Sequence, residues 1–133
     1  MKTLAEHAID AILAAGLISK DRIEREEINY AEWDGKPRIV VIEEESTVEE
    51  YQLGPLYQTT PLIIRCCAKE RGEALALCQQ AATAVYQHLA LLIRYRKGGV
   101  ISVDRTGQGS GTLQSATAYE ASRNFRVLNT MNM

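Results

Sequence analysis

Leu62 to Tyr95, LIIRCCAKERGEALALCQQAATAVYQHLALLIRY, is the stretch whose reading decides the fold. Leu62 to Ala68 is an apolar β-type run, and the pattern switches to helical at Lys69 or Glu70 with room for no more than a turn. From about Glu70 to Tyr95, the residues Leu75, Cys78, Ala82, Val85, Leu89 and Leu92 recur at spacings of three and four, a row suited to packing on a sheet. A second row, Leu77, Ala81, Ala84, His88, Leu91 and Tyr95, lies about 100° further round at 3.6 residues per turn. The apolar arc is therefore wider than one sheet contact needs. The remaining face, Gln79, Gln80, Thr83, Gln87 and Ala90, is polar but uncharged until Arg94, whereas a solvated helix face usually carries Lys and Glu. That deficit makes Gln79, Gln80, Thr83 and Gln87 candidates for a subunit interface.

Upstream, Thr3-Leu4-Ala5-Glu6 has the form of a capping box, in which the Thr hydroxyl and Glu carboxylate satisfy amides at a helix start. Leu4, Ala8, Ala11, Ile12 and Ala15 then share one face, and Gly16 closes a first helix over Leu4 to Ala15. Asp34-Gly35, between Ile28 to Trp33 and Lys36 to Ile42, predicts a tight hairpin. Leu17 to Glu27 fits neither strand nor helix cleanly, which leaves the first sheet edge open. Ile39 to Ile42 is apolar on both sides of the pleat and gives way to Glu43, Glu44 and Glu45, so that strand runs from core into solvent. Ser46 to Pro61 is too apolar for a plain linker. Its Tyr51, Leu53, Leu56 and Tyr57 make it a loop or edge segment with something to contact, and a second candidate interface.

Downstream, Lys97-Gly98-Gly99 ends the long helix and Val100 to Asp104 begins a strand. Arg105 to Ser115 holds Gly107, Gly109 and Gly111 among Ser, Thr and Gln and reads as a loop or hairpin tip. Within it Arg105, Gly107, Gln108 and Gly109 are the candidates for a loop that projects from the sheet to contact a partner below or to line the lumen of an assembly. Tyr119, Ala121, Arg123, Phe125 and Val127 alternate with polar residues, as in a half-buried strand. The expected fold is α+β: a mostly antiparallel sheet of about four to five strands with two helices packed on it, in the order α-β-β-β-α-β-β, as a single domain over residues 1–133.

Composition narrows the function classes. The 133 residues carry 15 basic and 17 acidic side chains, so there is no broad positive field, and sequence-specific nucleic acid is not the expected partner. Lys2, Glu6 and Asp10 interrupt the first segment, unlike the apolar core of a signal peptide. Leu89 to Ile93, the longest apolar stretch, is far short of the ~20 residues that span a bilayer, so no membrane partner is expected. Cys66, Cys67 and Cys78 are odd in number with no metal-binding spacing, which points to reduced, buried thiols and no cofactor.

Candidate chemistry is sparse. The two histidines, His7 and His88, both fall on predicted helices. A Cys66 or Cys67 pairing with His88 is opposed by the apolar row that His88 occupies and by the opposite directions of adjacent strand side chains. The 107–111 glycines lack the Lys-Ser or Lys-Thr of a phosphate loop. Glu43, Glu44, Glu45, Glu49 and Glu50 lack calcium-loop spacing and read as a solvated strand end. Arg65, Arg123 and Arg126 either pair with acids across a subunit boundary or are ordinary sheet arginines.

The strand running directly into the Ala-rich helix in CCAKERGEALALCQQAATAVYQHL, and the closing strand AYEASRNFRVL, resemble the tail terminator or tail completion proteins of long-tailed bacteriophages. The likeness extends from about Thr3 to Leu128 and consists of packing patterns, not a chemical signature. It implies a structural protein, not an enzyme, that forms a hexameric ring on the tail tube. The ring stops tube polymerisation and offers a surface to the head. Its implied partners are further copies of itself, the tail tube protein and the head-tail connector protein. Its implied location is the host bacterial cytoplasm during assembly, then the virion or prophage tail neck. The alternatives are a head-side stopper or adaptor of the connector and, from another class, a small enzyme or ligand-binding module around His88.

Overall fold

The structure is a computed structural model that describes residues 2–25, 33–49, 57–113 and 118–130, with side chains at 49 and 109–113 left aside. Helix α1 spans Leu4–Ala14, and the Thr3 hydroxyl accepts a hydrogen bond from the Glu6 amide at 3.2 Å. A second amide of the first turn is met from the sheet: the Ala5 amide donates to Glu43 Oε1 at 2.9 Å. Gly16, at φ +68°, ends the helix as expected.

Six strands follow: β1 (Ile23–Glu24), β2 (Arg38–Glu43), β3 (Thr47–Glu49), β4 (Tyr57–Ala68), β5 (Val100–Leu113) and β6 (Ala118–Thr130). Helix α2 (Arg71–Arg94) lies between β4 and β5 in the chain. The sheet order is β1-β2-β4-β6-β5, with β3 pairing β4 beyond the end of β2. Every pairing is antiparallel except β1 with β2. The α+β class and the two packed helices are as the sequence implied, with six strands where the expected order had five.

The hairpin expected at Asp34-Gly35 is corrected in part. Ile28 to Glu32 lie outside the described residues, and the described neighbour of β2 at Ile39 and Val40 is Ile23–Glu24, running parallel. A bidentate ion pair explains the arrangement. Arg22 holds both carboxylate oxygens of Asp34 at 3.0 and 2.9 Å and donates to the Pro37 carbonyl at 2.8 Å, which draws the preceding segment alongside β2. The Asp34 carboxyl is held well below the usual carboxylate range by Arg22 and by the Lys36 amide.

Strand β4 begins earlier than the apolar run suggested and passes through Pro61. The missing Pro61 amide falls where β2 hands over to β3, and its carbonyl still accepts from the Glu44 amide at 3.0 Å. The loop expected over Arg105 to Ser115 is also corrected: Arg105, Gly107, Gln108 and Gly109 belong to β5, which pairs with β6 through Leu113. Gly107 and Gly109 sit opposite Asn124 and Ser122, so the alternating glycines follow the period of a strand. Glycine weakens local strand preference, and the long partner β6 supplies what the local sequence does not.

One core fills the space between helices and sheet. Leu62, Ile64, Cys66 and Ala68 from β4, Ile39 and Val41 from β2, and Phe125 and Val127 from β6 meet Ala74, Cys78, Ala81, Val85 and Leu89 of α2, and Ile12 and Ala8 of α1. Of the second α2 row, Ala81 is buried and Leu77, Ala84 and His88 are half-buried, so the chain itself covers most of what the wide apolar arc left over. Leu91 and Tyr95, 50% and 60% exposed, end that row in the open.

Helix α2 does not end on glycine. The Lys97 amide bonds to the Leu92 carbonyl at 2.9 Å and the Arg96 amide to that of Ile93 at 3.2 Å, a Schellman closure with Arg96 at φ 54° in the left-handed position. A non-glycine residue there costs ~1–2 kcal/mol, partly offset by the entropy a glycine loses on folding. Arg96→Gly is therefore expected to stabilise the fold by about 0.5–1 kcal/mol, read as a higher urea midpoint at unchanged m-value.

Candidate functional site

Gln79, Gln80, Thr83 and Gln87 all lie exposed on α2, with Ala76 and Ala90 continuing the stripe at either end. Three hollows share this stripe as a wall. A cleft of about 570 Å³ separates it from the β5–β6 side and is lined by Gln79, Ala82 and Thr83 from the helix and by Arg105, Thr106, Gly107, Gln108, Arg123, Asn124 and Phe125 from the strands. A shallow hollow of about 470 Å³ runs along the stripe itself beside Ala15. A third, of about 410 Å³ and mostly apolar, lies between Leu77 and Gln80 of α2 and Leu17, Ile18 and Pro37.

The structure thus brings together two sets of residues that the sequence kept apart. Gln79 and Thr83 face Arg105, Gly107 and Gln108 across one cleft. Tyr57 is elsewhere: it starts β4 between Glu49 and Thr130, in step with Ile63, Arg65 and Cys67 on the sheet face turned from the helices. Tyr51, Leu53 and Leu56 lie outside the described residues.

The cleft is built by a bulge and a stack. Thr106 is the extra residue between the Arg105–Phe125 and Gly107–Asn124 pairs, so the strand turns locally and both Arg105 and Gln108 face the helix side. The Arg105 guanidinium sits 4.2 Å from the centroid of the Tyr86 ring, and that ring stacks on Phe125 with centroids 6.4 Å apart. Such a cation–π contact stabilises by ~0.5–1 kcal/mol at an exposed site and fixes where the charge points. Arg123, opposite Gln108, donates to the Ser122 carbonyl at 3.1 Å. Tyr86 and Asn124 were not legible as site residues, because their positions matter only once β6 is set beside β5 beneath the helix.

Away from the cleft, no buried side-chain polar atom among the described residues lacks a hydrogen-bond partner. Arg65, considered as a boundary arginine, pairs within the chain with Glu120 at 3.2 Å. Buried Thr60 and Asn129 form a chain with Ser46 and Gln58: Ser46 Oγ to Thr60 Oγ1 is 2.6 Å, Asn129 Nδ2 donates to Thr60 Oγ1 at 3.1 Å, and Gln58 Nε2 donates to Asn129 Oδ1 at 2.7 Å. Cys66 lies in the helix-side core, where its hydrogen bond with the Cys78 thiol and its burial push the thiol pKa up and keep it protonated. Among the described residues no three His, Cys, Asp or Glu side chains converge as metal ligands, and no helix is long and apolar enough to cross a membrane.

This fold has a solved counterpart. A chain in a structure titled "Virion of native gene transfer agent (GTA) particle" superposes with a TM-score of 0.55 at 14% identity, covering 92% of this chain and 92% of that one. No protein-family model matches the sequence, and no curated protein does. The likeness is one of fold.

His88 meets His7 of α1, not a cysteine, with Nε2 3.4 Å from Nδ1. Burial, then His88 and Lys2, lower the His7 pKa below 6.5, while Asp10 and Glu6 act weakly the other way. The unfolded chain therefore takes up this proton first as pH falls through about 6.5, and stability is lost from there down to the folded-state pKa. Urea midpoints at pH 7.5 and 5.5 are expected to differ less in His7→Gln than in the parent chain.

Proposed function

We propose that this chain is a structural protein of a tailed virion, a terminator that assembles as a ring on the end of the tail tube. Ring closure stops tube growth and presents a fresh surface to the head-tail connector. The observation that carries this reading is the fold shared with a chain of a gene transfer agent virion over nearly the full length of both. The residue pattern that resembles tail terminators points the same way.

The surface chemistry fits a part that works by geometry. A ring needs two unlike lateral patches, since identical contacts repeated by rotation close only when one patch meets the other. The uncharged α2 stripe, with its flanking hollows, is one such patch, and β4 opens with Tyr57 on the other face of the sheet. Neutral amides lose little on desolvation when they find partners, whereas a buried unpaired carboxylate is costly. Gln80→Glu combined with Gln87→Glu is therefore expected to weaken assembly on isolated tail tubes by roughly tenfold, about 1.4 kcal/mol, while circular dichroism and the urea midpoint stay unchanged. Co-sedimentation with isolated tubes and isolated heads tests the role itself: binding to heads alone reassigns the protein to the head side of the neck, and binding to neither refutes the virion reading.

A further inference from the structure

We propose that the cleft between α2 and the β5–β6 edge receives the carboxylates of Glu44 and Glu45, which follow Glu43 at the end of β2, from a second copy of this chain. The proposal deepens the ring reading above by naming its lateral contact.

The cleft is cationic, and its two arginines stand apart from the ion pairs that the described residues close within the chain. Lys2 pairs with Asp10, Arg22 with Asp34, Arg38 with Glu24, and Arg65 with Glu120. Arg105 and Arg123 have no carboxylate partner among the described residues, and the cleft they share is otherwise lined by neutral groups. Tyr86 holds the Arg105 guanidinium in place from one side, leaving its fork available to a planar carboxylate.

The matching acids lie at the end of β2, one strand in from the opposite edge of the sheet, and at the same height. Glu43 is in register with Leu62, Leu62 with Phe125, and Phe125 with Arg105, so one row across the sheet ends in a carboxylate on β2 and a guanidinium on β5. Directly opposed residues share a face, and this row faces the helices at both ends: Glu43 reaches the α1 amide of Ala5, and Arg105 reaches Tyr86 of α2. Three strand spacings, ~14 Å, keep the two charges from meeting within one chain. Among the described residues β1 pairs β2 only at Ile39 and Val40, and Glu43, Glu44 and Glu45 are all exposed.

A copy set alongside in the same orientation brings β5 antiparallel to β2, with the arginine end of one row against the acidic end of the next. The two patches are unlike, so the contact is head-to-tail and propagates in one direction, as a closed ring requires. A double-stranded nucleic acid is the competing occupant of an arginine cleft.

A charge swap tests the contact. One variant carries Arg105→Glu and Arg123→Glu, and the other Glu44→Arg and Glu45→Arg; Glu43 is kept because it caps α1. Each is checked for folding by circular dichroism, with Arg105→Gln and Arg123→Gln as the milder form if the first fails to fold. By sedimentation at low salt, each variant alone is expected to associate at least tenfold more weakly than the parent chain, and an equimolar mixture to regain association, because each carries the face the other lacks. Parent-like association of either folded variant overturns the contact, as does a mixture that stays dissociated, or arginine-dependent DNA binding with self-association intact. A parent chain that remains monomeric at millimolar concentration overturns it too, whatever tail tubes bind; a parent chain that associates but ignores tubes leaves the contact standing and removes the ring reading.

Discussion

The seating of α2 on β4 and β6 is the contact from which the rest of the molecule follows. Ala74, Cys78, Ala81 and Ala82 are buried side chains of small volume, so the first half of the helix lies close over Ile64, Cys66 and Ala121. Val85 and Leu89 then fill the space that opens toward the second half. Burying a side chain of that size contributes ~1.5–3 kcal/mol, which is why a helix with little charge patterning of its own holds a fixed position. Tyr86, at the flank of this contact, stacks on Phe125 and carries Arg105, so the cleft is set by the same seating.

Both helices lie on one face of the sheet, and that asymmetry shapes the surface. On the other face Arg65 and Glu120 pair, Val40 and Cys67 are buried, and Tyr57 opens the ladder of β4 with β6. At the sides, β5 runs its length along β6 and β2 extends past its short parallel neighbour, so the sheet presents two different flanks. A two-layer fold of this kind has a direction built into it, with an arginine flank and an acidic flank. A net charge of only −2 conceals that polarity, because the opposing groups cancel in the sum and not in space.

The sequence carried further for elements than for relations between them. The 3.6-residue rows of α2 and the alternation of β6 mark which side chains are inward, since period and burial are tied by backbone geometry. Thr3 and Gly16 likewise mark the ends of α1 through local hydrogen bonding and a positive φ. The Arg105 to Gln108 segment misled for the converse reason: glycine-rich composition is a local signal for loops, and its strand state depends on a partner fifteen and more residues downstream. The Asp34-Gly35 turn was local and visible, while the parallel seat of β1 depended on Arg22 finding Asp34 across intervening chain.

By itself, then, the sequence determined the α+β class, the extents of the two helices, the inward faces of α2 and β6, and the neutrality of the Gln79 to Gln87 stripe, because each is written in spacing along the chain. Only the tertiary structure decided that this stripe borders Arg105 and Arg123, that Arg65 is satisfied within the chain, and that Glu43 and Arg105 end one row. Those facts depend on strand order and register, which are fixed by long-range pairing and core packing rather than by any local pattern.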